Sequence, residues 1–271
     1  MATYQHNTDI QLNYNIYGTG NKVLIAFHGF TKDSTDFEIF ASILSKTYTI
    51  YAVDLFYHGK TKFNAKKIKS FSNPELKEII SGFLQHINAH KFSVLGYSMG
   101  GKIALFTLQN FYVQIENSFL LAPDGLKINF WNWWVTKTKT GKYTYGYTIK
   151  KPQVVYNIAK IGASTKILPK KIEKFVEINF GRKGIRLKIY RVWQLYKNIE
   201  IDPEKINNLA EKNNSKILVF GGHKDPVIKL RFLKEFTRKN QSFKLIELKA
   251  GHDLFKEYLV EEICKEIITS N

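Results

Sequence analysis

Gly96-Tyr97-Ser98-Met99-Gly100 stands between the apolar run Lys91–Leu95 and the helix-patterned run Lys102–Asn110. A strand, a short turn with glycine at both ends and then a helix is the setting that a G-x-S-x-G elbow requires. A serine hydroxyl is a weak nucleophile at neutral pH, so it must be held exposed beside a base. The sharp turn exposes it, and glycine at 96 and 100 removes the Cβ atoms that would crowd the turn. The same turn sets the backbone N–H of Met99 at a helix start, where the helix dipole favours a developing oxyanion.

Outward from the elbow, short apolar runs alternate with helical patterns. Val23–Phe27, Thr49–Val53, Phe92–Leu95, Ser118–Ala122, Lys216–Phe220 and Phe243–Leu248 read as buried strands. Phe37–Leu44, Pro74–Ile87, Lys102–Asn110 and Val227–Arg238 carry helical spacing or helix-start signals. Asn73 reads as an N-cap, with Pro74 at the first helical position. This alternation predicts an α/β fold with a mostly parallel central sheet and helices on both faces. Ile10–Tyr17 alternates apolar and polar residues, which suits an antiparallel strand at the sheet edge.

The rhythm stops after Ala122-Pro123-Asp124 and resumes at Lys216. Residues 125–205 hold eighteen Lys and Arg against five acidic residues, a net +13 of the chain's +18, and all four tryptophans. A loop of that length inside a compact domain is implausible, so a helical insertion is expected at 125–205, splitting a core of 1–124 and 206–271. Phe130–Val135 reads as helical, while the alternation of Tyr143, Tyr145 and Tyr147 reads as a short extended segment.

A nucleophilic serine needs a base, and the base needs an orienting acid. Asp225, in Gly221-Gly-His-Lys-Asp225-Pro226, and His252, in Ala250-Gly-His252-Asp253, each follow a strand. Functional groups in open α/β sheets collect at the carboxyl ends of strands. Ser98 is therefore read as nucleophile, His252 as base and Asp225 as its partner. Asp225 can also cap the helix expected to begin at Pro226, and Asp253 reads as a cap of the last helix. A second oxyanion donor is expected after Val23–Phe27, where the N–H of Phe30 would join that of Met99. His28 reads as a brace of that loop.

With these residues assembled, the chain resembles the α/β-hydrolase family. The resemblance rests on His28-Gly29-Phe30, Asp54-Leu-Phe-Tyr-His58-Gly59, the elbow, Asp225 and Gly251-His252, and covers the chain outside the insertion. It implies the α/β-hydrolase fold, with the insertion as a helical lid over the site. It also implies a serine hydrolase of esters, thioesters or C–C bonds, carboxylesterase first. Lys102 after Gly101 gives a second resemblance, to the menaquinone-pathway lyases of this fold, which carry arginine there. A non-catalytic binding protein on the same fold is a third reading. Tyr57 departs from the family, which has glycine before the second His-Gly pair.

A small-molecule substrate, apolar and bearing an anionic group, is expected. Trp131 and Trp134 would roof an apolar pocket, and Lys102, Arg186 or Arg191 would hold a carboxylate or phosphate. The lysines and tryptophans of the insertion also suit transient contact with an anionic membrane or an acyl carrier. No recognised motif supports nucleic-acid binding. No cofactor and no metal are expected. The lone Cys264 lies in a C-terminal helical run and reads as core. The polar first nine residues, and the lack of an uncharged apolar stretch of about 18 residues, predict a soluble cytoplasmic protein.

Overall fold

Runs that are apolar at nearly every position, such as Leu24-Ile-Ala-Phe27 and Val94-Leu-Gly-Tyr97, have no polar face to give to water and need cover on both sides. The computed structural model describes residues 1–127, 130–153, 157, 160, 183–213 and 215–270, apart from the side chains of Trp131 and Asn213. Among these residues nine strands form one sheet. They are β1 (Ala2–Asn7), β2 (Ile10–Tyr17), β3 (Lys22–Phe27), β4 (Tyr48–Val53), β5 (Lys62–Phe63), β6 (Phe92–Tyr97), β7 (Ile115–Leu121), β8 (Lys216–Gly222) and β9 (Phe243–Leu248). Their order is β1-β2-β4-β3-β6-β7-β8-β9, with β5 on β2. The pairs from β4 through β9 are parallel, and β2 is antiparallel to β1, β4 and β5.

Register aligns the carboxyl ends. Phe27 pairs with Gly96, Tyr97 with Leu121, Leu121 with Phe220, and Gly222 with Leu248. Whatever follows β3, β6, β8 and β9 therefore emerges along one edge of the sheet.

The helices are α1 (Glu38–Leu44), α2 (Asn73–His86), α3 (Met99–Phe111), α4 (Phe130–Lys137), α5 (Lys139–Lys150), α6 (Lys183–Tyr196), α7 (Pro203–Asn213), α8 (Leu230–Thr237) and α9 (Glu257–Thr269). Phe40 and Leu44 of α1 share one core cluster with Ile263, Cys264 and Ile267 of α9 and with Leu24, Ala26, Leu95 and Phe119 of the sheet. Cys264 is thus a buried apolar filler, and burial pushes its thiol up to about 12. Successive strand residues face opposite sides, so Ile25 and Val94 serve the other face, where α3 packs on β3, β6 and β7. No described helix is long and apolar enough to cross a membrane.

The chain divides into two compact units. The first holds residues 1–65, 72–127 and 199–271; the second holds 66–71 and 128–198. The second unit's boundaries thus differ from 125–205. Within it, α4 and α5 approach so closely that a Cβ on Gly141 would lie 2.0 Å from the Trp134 carbonyl oxygen. The ring of Tyr145 stacks on Tyr190 of α6 at 5.6 Å, and its hydroxyl donates to the Arg186 carbonyl at 3.3 Å.

Three local expectations are corrected. Residues 143–147 are helical, because Thr138 caps α5 by accepting from the Gly141 N–H at 2.9 Å and Tyr145 is drawn onto Tyr190 and Trp193. β2 is not the edge, because β1 lies outside it. The N-cap of α2 is Ser72, one residue before Asn73, because Ser72 and Glu75 form a reciprocal capping box.

Candidate active site

Ser98 sits where β6 ends and α3 begins, with φ 52° and ψ −114°. That left-handed backbone costs a non-glycine residue energy, and the neighbours hold it in place. The Ser98 N–H donates to the Leu121 carbonyl, and the Ser98 carbonyl accepts from Gly101 and Asp124, each at 2.9 Å. The two elbow glycines answer to close approach. A Cβ on Gly96 would meet the Ala104 Cβ at 2.5 Å, and one on Gly100 would meet the Phe27 carbonyl oxygen at 2.1 Å. Met99 opens α3, so its N–H is among those left without a partner inside the helix.

His252 stands four residues beyond β9, and Asp225 three beyond β8. The two turns are laced together: the His223 N–H donates to the Leu248 carbonyl at 3.0 Å and the Lys224 N–H to the Ala250 carbonyl at 2.9 Å. Gly222 permits this, since a Cβ there would lie 2.3 Å from the Gly251 carbonyl oxygen.

The three side chains meet in one hydrogen-bonded row. Ser98 Oγ lies 2.9 Å from His252 Nε2, and His252 Nδ1 lies 2.7 Å from Asp225 Oδ2. A carboxylate can only accept, so Nδ1 carries the proton and Nε2 presents its lone pair to the serine hydroxyl. The other oxygen, Asp225 Oδ1, accepts the backbone N–H groups of Val227 at 2.7 Å and Ile228 at 2.9 Å. One carboxylate thus caps the turn at Pro226, rather than a helix, since α8 begins only at Leu230 with Lys229 as its N-cap, and it also fixes the imidazole; its side chain is fully buried while that of His252 is 23% exposed. Asp253 accepts from the Phe255 N–H at 3.2 Å, which caps a turn rather than α9; the N-cap of α9 is Lys256.

The loop after β3 lies beside the elbow: a Cβ on Gly29 would fall 2.6 Å from the Tyr97 ring and 3.5 Å from the Ser98 Cβ. His28 braces it. Its Nδ1–H donates to the Gly29 carbonyl at 2.7 Å, and its Nε2 accepts the Leu55 N–H at 2.9 Å. Burial, with the neighbouring His58 adding to it, lowers the pKa of His28 to about 4, so the ring is neutral at pH 7. His58, whose part in the site the sequence did not reveal, has Nε2 2.7 Å from the Phe30 carbonyl oxygen and Nδ1 2.9 Å from that of Phe56. Tyr57 has φ 66°, the left-handed region in which glycine is strain-free, and its ring meets Phe63 edge-on at 4.8 Å.

Of the other expected residues, Lys102 lies on the first turn of α3, its Cγ 3.0 Å from where a Cβ on Gly125 would stand. Trp134, Arg186 and Arg191 belong to the second unit. Arg186 is buried there and donates through Nη2 to the Ile149 carbonyl at 3.1 Å, while Arg191 is exposed on α6. The side chain of Trp131 lies outside the described residues.

A family model described as the alpha/beta hydrolase fold matches residues 22–258. Over 86 residues, 32% of this chain, the sequence is 30% identical to an uncharacterized hydrolase, YugF, of Bacillus subtilis. Over 83 residues, 31% of this chain, it is 32% identical to a protein named as an esterase/lipase in Haemophilus influenzae. The matched stretches are 31% and 28% of those relatives' own lengths. Among solved structures, MGS-M2, an alpha/beta hydrolase enzyme from a Medee basin deep-sea metagenome library, superimposes with a TM-score of 0.71 at 14% identity, covering 100% of this chain and 98% of that one.

Proposed function

The chain belongs to the alpha/beta hydrolase fold family, and from that premise we propose that it is a serine hydrolase with Ser98 as nucleophile, His252 as general base and Asp225 as the group that orients the base. The observation that carries the proposal is the unbroken row from Ser98 Oγ through His252 to Asp225, at 2.9 and 2.7 Å. In the reaction, His252 Nε2 takes the serine proton as Oγ attacks the acyl carbon. The resulting oxyanion is met by the backbone N–H groups of Met99 and Phe30. His252 then gives the proton to the leaving alcohol, and water repeats the sequence to free the acid.

Carboxylesterase is the leading class. Resemblance to an esterase/lipase over part of the chain supports it. The test is turnover of short p-nitrophenyl esters. Ser98→Ala is expected to lower kcat by about three orders of magnitude or more while the circular dichroism spectrum stays that of the native protein. Undiminished turnover in the purified variant would remove the proposal.

A further inference from the structure

The residue that presents the nucleophile also holds the base. We propose that Tyr97 is a positioning residue for His252, acting through its hydroxyl and its ring; this rests on the triad reading above. Tyr97 is the last residue of β6 and is bonded directly to Ser98. Its hydroxyl donates to the backbone carbonyl of His252 at 2.8 Å, across 155 residues of sequence. Its ring lies 5.5 Å from the imidazole, inclined by 33°, and 4.9 Å from the ring of Phe255. The same ring occupies the space that a Cβ on Gly29 would need.

A base has to be fixed in position as well as in protonation state. The Asp225 contact pins the imidazole at Nδ1, and the bond at Nε2 is to the reacting hydroxyl itself, so neither fixes where the His252 backbone lies. The distance from Nε2 to Ser98 Oγ also depends on where the His252 backbone lies. Tyr97 fixes that backbone at His252 itself and backs the ring with an apolar surface. Because Tyr97 ends β6 and Ser98 follows it directly, nucleophile and base are referred to the end of one strand instead of two loops. Burial, with the charges of Asp253 and Asp225 adding to it, raises the phenol pKa, so the hydroxyl remains a donor throughout the working range. Small misplacements of a reacting pair lower rates steeply.

The test is a double-mutant cycle on p-nitrophenyl butyrate, with Tyr97→Phe made in the native chain and in His252→Ala. In the native chain, kcat is expected to fall about tenfold with KM within about twofold and the thermal midpoint little changed. In the His252→Ala background the same substitution is expected to change the residual rate by less than about twofold, because the group it positions is gone. An equal loss in both backgrounds, or no loss in the native chain, overturns the proposal. A second measurement needs no substrate: the proton on His252 Nδ1 should give a low-field resonance in the native protein that broadens or disappears in Tyr97→Phe. An unaltered resonance also overturns it. If Ser98→Ala keeps native turnover, the triad reading fails, and the resonance still decides whether Tyr97 holds His252. Should Tyr97→Phe not fold, Tyr97→His, which keeps a ring with an N–H donor, enters the same comparisons.

Discussion

At His28, burial decides a protonation state and thereby a pH dependence. The ring can hold the Gly29 carbonyl with Nδ1–H and receive the Leu55 N–H at Nε2 only while it is neutral. Its folded pKa is about 4 against an ordinary 6.5. Between those values the unfolded chain binds a proton that the folded chain refuses, so stability rises with pH across that window. The contribution is fully present above pH 6.5 and is lost as pH falls through about 4; it amounts to about 3 kcal/mol. Urea unfolding at a series of pH values should show that loss in the native chain. In His28→Asn the part of the slope between pH 6.5 and 4 should be missing, with the carboxylate contribution below it retained. Parallel curves would mean that His28 is not the group titrating. Ser98, His252 and Asp225 were legible in the sequence because each follows a strand, and register brings those strand ends to one edge. Tyr97 was not legible as more than the variable position of the elbow, since its partner lies 155 residues away. His58 escaped for the same reason: its contact with the Phe30 carbonyl joins two loops that are separate in sequence.

At the scale of an element, α2 shows how local chemistry fixes both ends of a helix. Ser72 Oγ accepts the Glu75 N–H, while Glu75 Oε2 accepts the Ser72 hydroxyl at 2.6 Å and the Ser72 N–H at 2.7 Å; these two bonds to the carboxylate, the hydroxyl first, hold the Glu75 carboxyl below its usual pKa. At the other end Asn88 takes φ 53°, and the Ala89 N–H reaches back to the Leu84 carbonyl at 2.9 Å. Ser72→Ala is expected to cost about 1 kcal/mol through the lost cap. Asn88→Ala is expected to cost a similar amount, about 1–2 kcal/mol, because alanine resists the left-handed region, whereas Asn88→Gly should not destabilise. Thermal or denaturant unfolding measures all three, and an Asn88→Ala chain as stable as the native one would refute the backbone argument. The apolar period of α2 made the helix itself readable, since Leu76, Ile79, Ile80, Phe83 and Leu84 all turn inward. β1 was unreadable by that rule. Its alternation is of half-buried Ala2, Tyr4 and His6 with exposed polar residues, and the packing of Tyr4 on Phe83 and His86 of α2 gives it an inner face. In α5 the rule misled: three tyrosines at alternate positions imitate a strand, while a threonine cap and tertiary ring contacts make a helix.

For the molecule as a whole, charge is the property that neither the sheet nor the hydrogen-bonded row at Ser98 accounts for. The net +18 is concentrated in residues 125–205, outside the strands that build the site, so it bears on what approaches the protein more than on how the protein folds. Within the second unit, Trp133 of α4 is 44% exposed and Tyr143 of α5 is 80% exposed, beside Lys137, Lys139 and Lys142. Lysines draw a chain to an anionic surface over the Debye length, about 30 Å at 0.01 M salt and about 3 Å at 1 M, while aromatic rings hold it there independently of salt. Co-sedimentation with phosphatidylserine-containing vesicles is therefore expected at about 0.01 M salt, with phosphatidylcholine vesicles leaving the protein in the supernatant. Raising the salt to about 1 M should release most of the bound protein. A fraction that stays bound at high salt and is lost in Trp133→Ser would assign part of the affinity to ring insertion. Failure to bind phosphatidylserine vesicles even at low salt would detach the charge from membranes altogether and leave an acidic protein such as an acyl carrier as the partner to titrate next.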